Sequence, residues 1–137
     1  MNILNKKHFS IYLITLFVFS VFYLYQKHLV GNDSTISEWL INYEGGFTKR
    51  GLIGQIAIYL SYLIDIKLRL SIFIFQVTII AIYYLLLNNF ISNLKLNNLI
   101  IFSIFTPIFV LYPIAEIEVL ARKETFLYCF FLLYLLL

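Results

Sequence analysis

Charged residues are scarce in this chain. Of its 137 residues only 12% are Asp, Glu, Lys or Arg, whereas 62% are hydrophobic. Soluble globular domains carry about twice that charged fraction and a smaller apolar one. The composition therefore excludes an ordinary soluble domain and indicates an integral membrane protein.

Cysteine is limited to one residue, Cys129, which excludes an internal disulfide. His8 and His28 are too far apart in the chain to form a local metal pair, and no Cys/His spacing typical of zinc is present. No Walker or dinucleotide-binding fingerprint occurs either. We therefore expect no cofactor from these motifs, and the use of a divalent metal is left open.

The net charge of +3 is small, and the basic residues are spread over the segments between apolar runs. None of these segments has a basic run long enough to indicate nucleic acid binding. The composition instead predicts membrane lipids as partners.

The apolar runs predict an all-α fold, because a span needs about 20 apolar residues in a helix that satisfies its own backbone. Three segments approach this length, at residues 9–25, 70–88 and 99–115. A fourth, at residues 125–137, reaches the last residue of the sequence. We predict a polytopic helical membrane protein in which residues 1–137 form one membrane domain. The incomplete fourth span predicts that the chain is the N-terminal part of a longer protein.

Residues 51–66 are apolar on average, but polar or small residues interrupt them every three to four positions. This spacing predicts a helix with one polar face. The helix either lies flat at the membrane surface or crosses the membrane as a short span, and the two alternatives give opposite topologies. Crossing places more Lys and Arg in the cytoplasm, as the positive-inside rule favours. The short length, and the ability of outward cations to bind an anionic ligand, favour the flat helix.

Glycine is also rare, yet four of the five glycines fall within residues 41–55. Gly45 and Gly46 predict a tight turn with positive φ. Lys49 and Arg50 follow just before the amphipathic helix, and two cations beside a helix N-terminus form a candidate phosphate site. The alternative is an ordinary turn whose cations contact lipid headgroups.

Three acidic residues lie in or beside this polar stretch, at Asp33, Glu38 and Glu44. A carboxylate beside a bound phosphate and an acceptor hydroxyl can act as a general base. The alternative interpretation for each of the three is an acidic residue in a solvated loop.

A second charged cluster, "EIEVLARKE" at residues 116–124, lies between two apolar segments. It is explained either as an interfacial loop, with Glu118 and Arg122 forming a helical i,i+4 pair, or as part of a binding site. If residues 51–66 lie flat, Arg122 and Lys123 share a membrane face with Lys49 and Arg50. Four cations would then be available to one diphosphate.

Two stretches carry a family resemblance: "EWLINYEGGFTKRGLIGQI" and "TPIFVLYPIAEIEVLARKE". They resemble, in similar order and separation, the landmarks of multispan proteins encoded with bacterial surface-polysaccharide genes for O-antigen or capsule. These proteins look like glycosyltransferases or polymerases of the GT-C type that use polyprenyl-phosphate-linked sugars. In that class the first outward loop supplies a catalytic acid.

The resemblance implies roles for individual residues. Glu38 occupies the acidic position before Trp39, Lys49 and Arg50 the basic pair, and Arg122 and Lys123 the second basic pair. Glu38 stands where Asp is more usual. Lys49 stands where Arg is more usual, which removes one bidentate contact to phosphate.

We therefore expect a fragment of a multi-pass glycosyltransferase or polymerase of the bacterial cytoplasmic membrane, with a cytoplasmic N-terminus. Residues 51–66 are then expected to lie flat, with residues 31–50 and 116–124 on the outward side. The alternative is a small non-enzymatic multispan protein, either part of a transporter or an assembly partner.

Overall fold

A computed structural model describes residues 3–30, 34–44, 46, 51–94 and 120–137, in which every regular element is an α-helix. The all-α prediction is thus confirmed for these residues. Two helices, α1 and α4, are long and apolar enough to cross a membrane, whereas α3 and α5 are shorter and apolar. The predicted span 99–115 lies outside the described residues. The five helices are α1 (Ile3–Val30), α2 (Ser34–Leu40), α3 (Gly51–Ile64), α4 (Leu68–Asn93) and α5 (Thr125–Leu136).

The helices α1 and α4 pack against each other along their length and run in opposite directions. Buried Leu13 and Leu24 from α1 join buried Ile80 and Leu87 from α4 in one core. Polar contacts along the pair give the antiparallel register. From the start to the end of α1 they join Lys6 to the carbonyl of Ser92 (2.7 Å), Ser20 to Tyr84 (3.2 Å) and His28 to Gln76 (2.7 Å).

The short helix α5 packs against the N-terminal half of α4. Phe126 in its first turn lies against Trp39 of α2, and Cys129 one turn later approaches the carbonyl of Ile79. The end of α1, all of α2, the start of α4 and the start of α5 therefore gather at one end of the bundle. We call this the loop end.

The helix α3 turns its small residues inward: Gly51, Gly54, Ala57 and Ser61 are buried. A Schellman motif ends the helix, because Asp65 adopts φ 54° and the N–H of Ile66 donates to the carbonyl of Ser61 at 3.1 Å. Ser71 Oγ of α4 then donates to the carbonyl of Ala57 at 3.1 Å. These contacts hold α3 against α4 at the loop end.

The helix predicted at about residues 51–66 is present as α3. Within it the polar and small residues do not share one environment, because Gly51, Gly54 and Ser61 are buried whereas Tyr62 is 80% exposed, and Asp65 lies beyond the end of the helix. The buried face of α3 consists mainly of small side chains, because neighbouring backbone packs closely there. Polarity alone does not identify this face.

The side of α1 that faces away from α4 is apolar and exposed. A stripe of this length needs lipid or protein to cover it. Its large exposed residues are Ile11, Ile14, Val18, Phe19 and Phe22.

Candidate functional site

The two sequence stretches that carry the family resemblance meet through one tryptophan. Trp39 is 0% exposed, and its Nε1 donates to the carbonyl of Ala121 at 2.8 Å. Its ring also lies against Phe126, with ring centroids 6.0 Å apart. Ala121 itself is buried and adopts φ 59°, a left-handed conformation that alanine seldom takes. This contact, the Trp39 clasp, joins α2 to the turn at residues 120–124.

Gly54 adds the start of α3 to the same assembly. A Cβ atom at this position would lie 2.9 Å from the carbonyl oxygen of Trp39 and closer still to that of Ile41. Only glycine allows the backbone after α2 to approach the helix this closely. Gly54 thus serves helix packing, a role that sequence reasoning did not assign to it.

The cations of the second stretch lie beside the clasp. Arg122 is half-buried, whereas Lys123 is only 7% exposed, and both interact with neighbouring groups. A lysine this buried is uncommon unless its charge is compensated. Lys49 and Arg50 lie outside the described residues. The convergence of all four cations therefore stays a prediction.

The candidate acids occupy different surroundings. Glu38 is half-buried on α2, next to the clasp, and interacts with a neighbouring group. Glu44 is exposed and its N–H donates to Asn42 Oδ1 at 2.9 Å, which forms a local turn. Asp33 lies outside the described residues. Of the two described candidate acids, Glu38 is the one adjacent in sequence to the tryptophan that contacts the second stretch.

The predicted glycine turn is present at Gly46. Its φ is 113°, and its N–H donates to the carbonyl of Tyr43 at 3.1 Å. Gly45 lies outside the described residues. Tyr43 N–H also donates to Gln55 Oε1 at 3.3 Å, which ties the turn to α3.

A polar cleft of about 390 Å³ opens beside this turn, between the segment after α2 and the end of α3. Clefts of this size accommodate small ligands. Two carboxylates, an amide and two hydroxyls around one cleft suit the hydroxyl groups of a sugar. Asp65 was not among the candidate site residues identified from the sequence. The lining residues are Asn42, Glu44, Ile58, Ser61, Tyr62, Asp65, Ile66 and Leu68.

The described residues contain no group of three or more His, Cys, Asp and Glu side chains placed to hold a metal ion. Sequence reasoning also gave His28 no role. In the fold His28 bonds to Gln76 at 2.7 Å, and Gln76 is one of the polar residues within the apolar run 70–88. A polar side chain within an apolar run was the feature of the sequence that could have indicated this contact.

Comparisons with protein-family models, with curated proteins and with solved structures found no match to this chain. The family resemblance of the two stretches therefore stays an expectation.

Proposed function

We propose that this chain is the N-terminal part of a multi-pass bacterial membrane glycosyltransferase or polymerase that uses polyprenyl-phosphate-linked sugars to build surface polysaccharide. The observation that carries the proposal is the Trp39 clasp. It unites two stretches 82 residues apart, each of which holds charged residues suited to a phosphate or an acceptor hydroxyl.

The exposed apolar stripe on α1 supports a membrane setting. The antiparallel pair α1 and α4 supports a flat α3 within it. If α1 and α4 both cross the membrane, α3 cannot cross between them, because a crossing there would make α1 and α4 parallel. Under this proposal the loop end faces outward and the N-terminus is cytoplasmic.

In this arrangement Arg122 contacts the phosphate of the lipid carrier, and the buried Lys123 adds positive charge beside it. The outward segment before α3 supplies Lys49 and Arg50. Glu38 acts as the base that accepts the proton of the attacking hydroxyl. The polar cleft beside Glu44 and Asp65 holds sugar hydroxyl groups.

Deletion of the gene in its source bacterium tests the proposal directly. We expect shortened or absent surface polysaccharide together with accumulation of the polyprenyl-linked sugar that the enzyme would consume. Surface polysaccharide is measured by gel electrophoresis, and the lipid-linked sugar by mass spectrometry of lipid extracts. Unchanged polysaccharide and no accumulation would contradict the proposal and favour the non-enzymatic alternative.

The topology predicts which single cysteines an impermeant maleimide can reach in intact cells. Ser37 and Asn93 are both exposed, and they lie at opposite ends of the antiparallel pair. In a Cys129→Ser background, we expect Ser37→Cys to be labelled and Asn93→Cys to be labelled only after the cells are broken. Glu124→Cys, at the loop end, should follow Ser37→Cys. Labelling of Asn93→Cys but not Ser37→Cys in intact cells would reverse the proposed orientation.

Arg122→Ala is expected to weaken binding of a polyprenyl phosphate by about 1.5–3 kcal/mol, the scale of a hydrogen bond to a charged group. Arg122→Lys should restore part of the loss, since an ammonium keeps the charge but not the bidentate geometry. Binding is measured on purified protein in detergent. The exposed Lys67→Ala serves as the charge-matched control. Equal affinity of Arg122→Ala and Lys67→Ala would remove Arg122 from the phosphate site.

A further inference from the structure

A second polar cluster lies where the end of α1 meets the start of α4. Arg69, Phe73 and Gln76 are spaced four and three residues apart, so they share one face of α4. This face meets Lys27 and His28 in the last turn of α1. Arg69 Nη2 donates to the carbonyl of Lys27 at 3.5 Å, and His28 Nε2 donates to Gln76 Oε1 at 2.7 Å.

The aromatic ring of Phe73 fixes the geometry of this cluster. His28 meets Phe73 edge to face with ring centroids 5.1 Å apart. The imidazole is therefore held between Phe73 and the Gln76 amide. Because Arg69 contacts Lys27 and Gln76 contacts the next residue, the two α4 side chains flank the same two residues of α1.

On the α4 side of this cluster, two polar atoms have no hydrogen-bond partner among the residues that the structure describes. Gln76 is 0% exposed, and its Nε2 is unsatisfied. Turning the amide over would leave its oxygen without a donor instead, so one polar atom lacks a partner in either orientation. Arg69 Nε is also buried and unsatisfied. Buried polar groups of native proteins almost always have a partner, so each exception requires an explanation.

We propose that this cluster binds an anionic oxygen group of the phosphate class, with Arg69 Nε and the Gln76 amide as its donors. Within the described part of the chain Arg69 forms no ion pair, so its charge is available to an external anion. Lys27, in the last turn of α1, adds positive charge at the same end of the two helices. A group that carries negative charge and accepts hydrogen bonds would satisfy these donors and balance the positive charge.

The site lies at the loop end, where α1 ends and α4 begins. In a membrane this level coincides with the lipid headgroups, so the phosphate belongs either to a lipid or to a soluble phosphate compound. Binding at this cluster requires only this anion chemistry and does not depend on glycosyl transfer. None of the residues in the cluster has a role in the function proposed above.

The test uses native mass spectrometry of the purified chain, titrated with phosphatidic acid or with phosphatidylcholine in detergent. Wild-type protein is expected to retain phosphatidic acid in preference to phosphatidylcholine. Arg69→Gln should weaken retention of phosphatidic acid about tenfold or more, as expected for a lost hydrogen bond to a charged group. Gln76→Leu should weaken it several-fold.

Lys67→Gln is the matched control, because it removes one positive charge only two residues from Arg69 but from an exposed side chain. Its affinity should stay within about twofold of wild type, as expected for a screened surface charge. Arg69→Lys keeps the charge without Nε and should lie between Arg69→Gln and wild type. Circular dichroism of every variant checks that its helices are formed.

Inorganic pyrophosphate distinguishes the two sources. Displacement of phosphatidic acid by pyrophosphate would support recognition of the phosphate group alone, while retention in its presence would support a lipid headgroup. The proposal is overturned if wild-type protein shows no preference for phosphatidic acid, or if Lys67→Gln loses as much affinity as Arg69→Gln. Neither result bears on Glu38 or Arg122, so failure here is separable from failure of the proposed function.

Discussion

Replacement of Trp39 by alanine is expected to lower the free energy of unfolding by about 3–5 kcal/mol, the range measured for large buried aromatic side chains. The substitution removes the hydrogen bond to Ala121 and the packing against Phe126, and it leaves a cavity between α2 and α5. Unfolding is followed by the loss of helicity during denaturant titration in mixed micelles.

Two further variants separate the parts of this effect. Trp39→Phe keeps most of the ring but loses the N–H, so it should cost about 0.5–1.5 kcal/mol, the net value of one hydrogen bond. Phe22→Ala removes an aromatic ring from the exposed stripe of α1 and should change stability far less. A Trp39→Ala variant as stable as Phe22→Ala would show that the clasp does not hold the loop end together.

Glu38→Gln is expected to reduce glycan synthesis by about 10²–10⁴-fold, the usual contribution of a general base. The amide keeps the size of the side chain but cannot accept a proton from the attacking hydroxyl. Binding of the polyprenyl-linked sugar should stay largely intact, because the base acts in the chemical step. Product is measured with membranes that contain the longest chain the gene encodes, and binding is measured with the same chain purified.

Glu44→Gln is the matched control, since Glu44 is the other described carboxylate of the first sequence stretch and lines the polar cleft. A contribution to sugar binding predicts a higher KM with nearly unchanged kcat for this variant. Wild-type turnover by Glu38→Gln would exclude Glu38 as the base. A large loss of kcat in Glu44→Gln alone would assign that role to Glu44.

The helices of the described residues were predictable because length and apolar composition determine them. The runs 9–25 and 70–88 lie within α1 and α4, and the run 125–137 is helical through Leu136. The helix ends were less predictable. The helix α1 continues through Lys27 and His28 because charge ends an apolar run but does not end a helix, which stops only where hydrogen bonding or backbone geometry requires it.

The candidate site was predictable in part. The polar residues around Glu38 and Arg122 were visible in the sequence as interruptions of an apolar chain. Their meeting through Trp39 was not visible, because no local periodicity relates two positions 82 residues apart. The close approach at Gly54 was equally hidden, because a glycine in a helix reveals nothing of the backbone that will pack on it.

The Trp39 clasp also sets an order of events during synthesis. A ribosome adds about 5–20 residues per second, so Ala121 is made about 4–16 s after Trp39. During that interval the indole N–H has no carbonyl to bind, whereas Gly54 is already available to the backbone of α2. The contact of α2 with α3 therefore has both of its partners on the emerging chain before the Trp39 clasp does, and the clasp can close only after Ala121 is made.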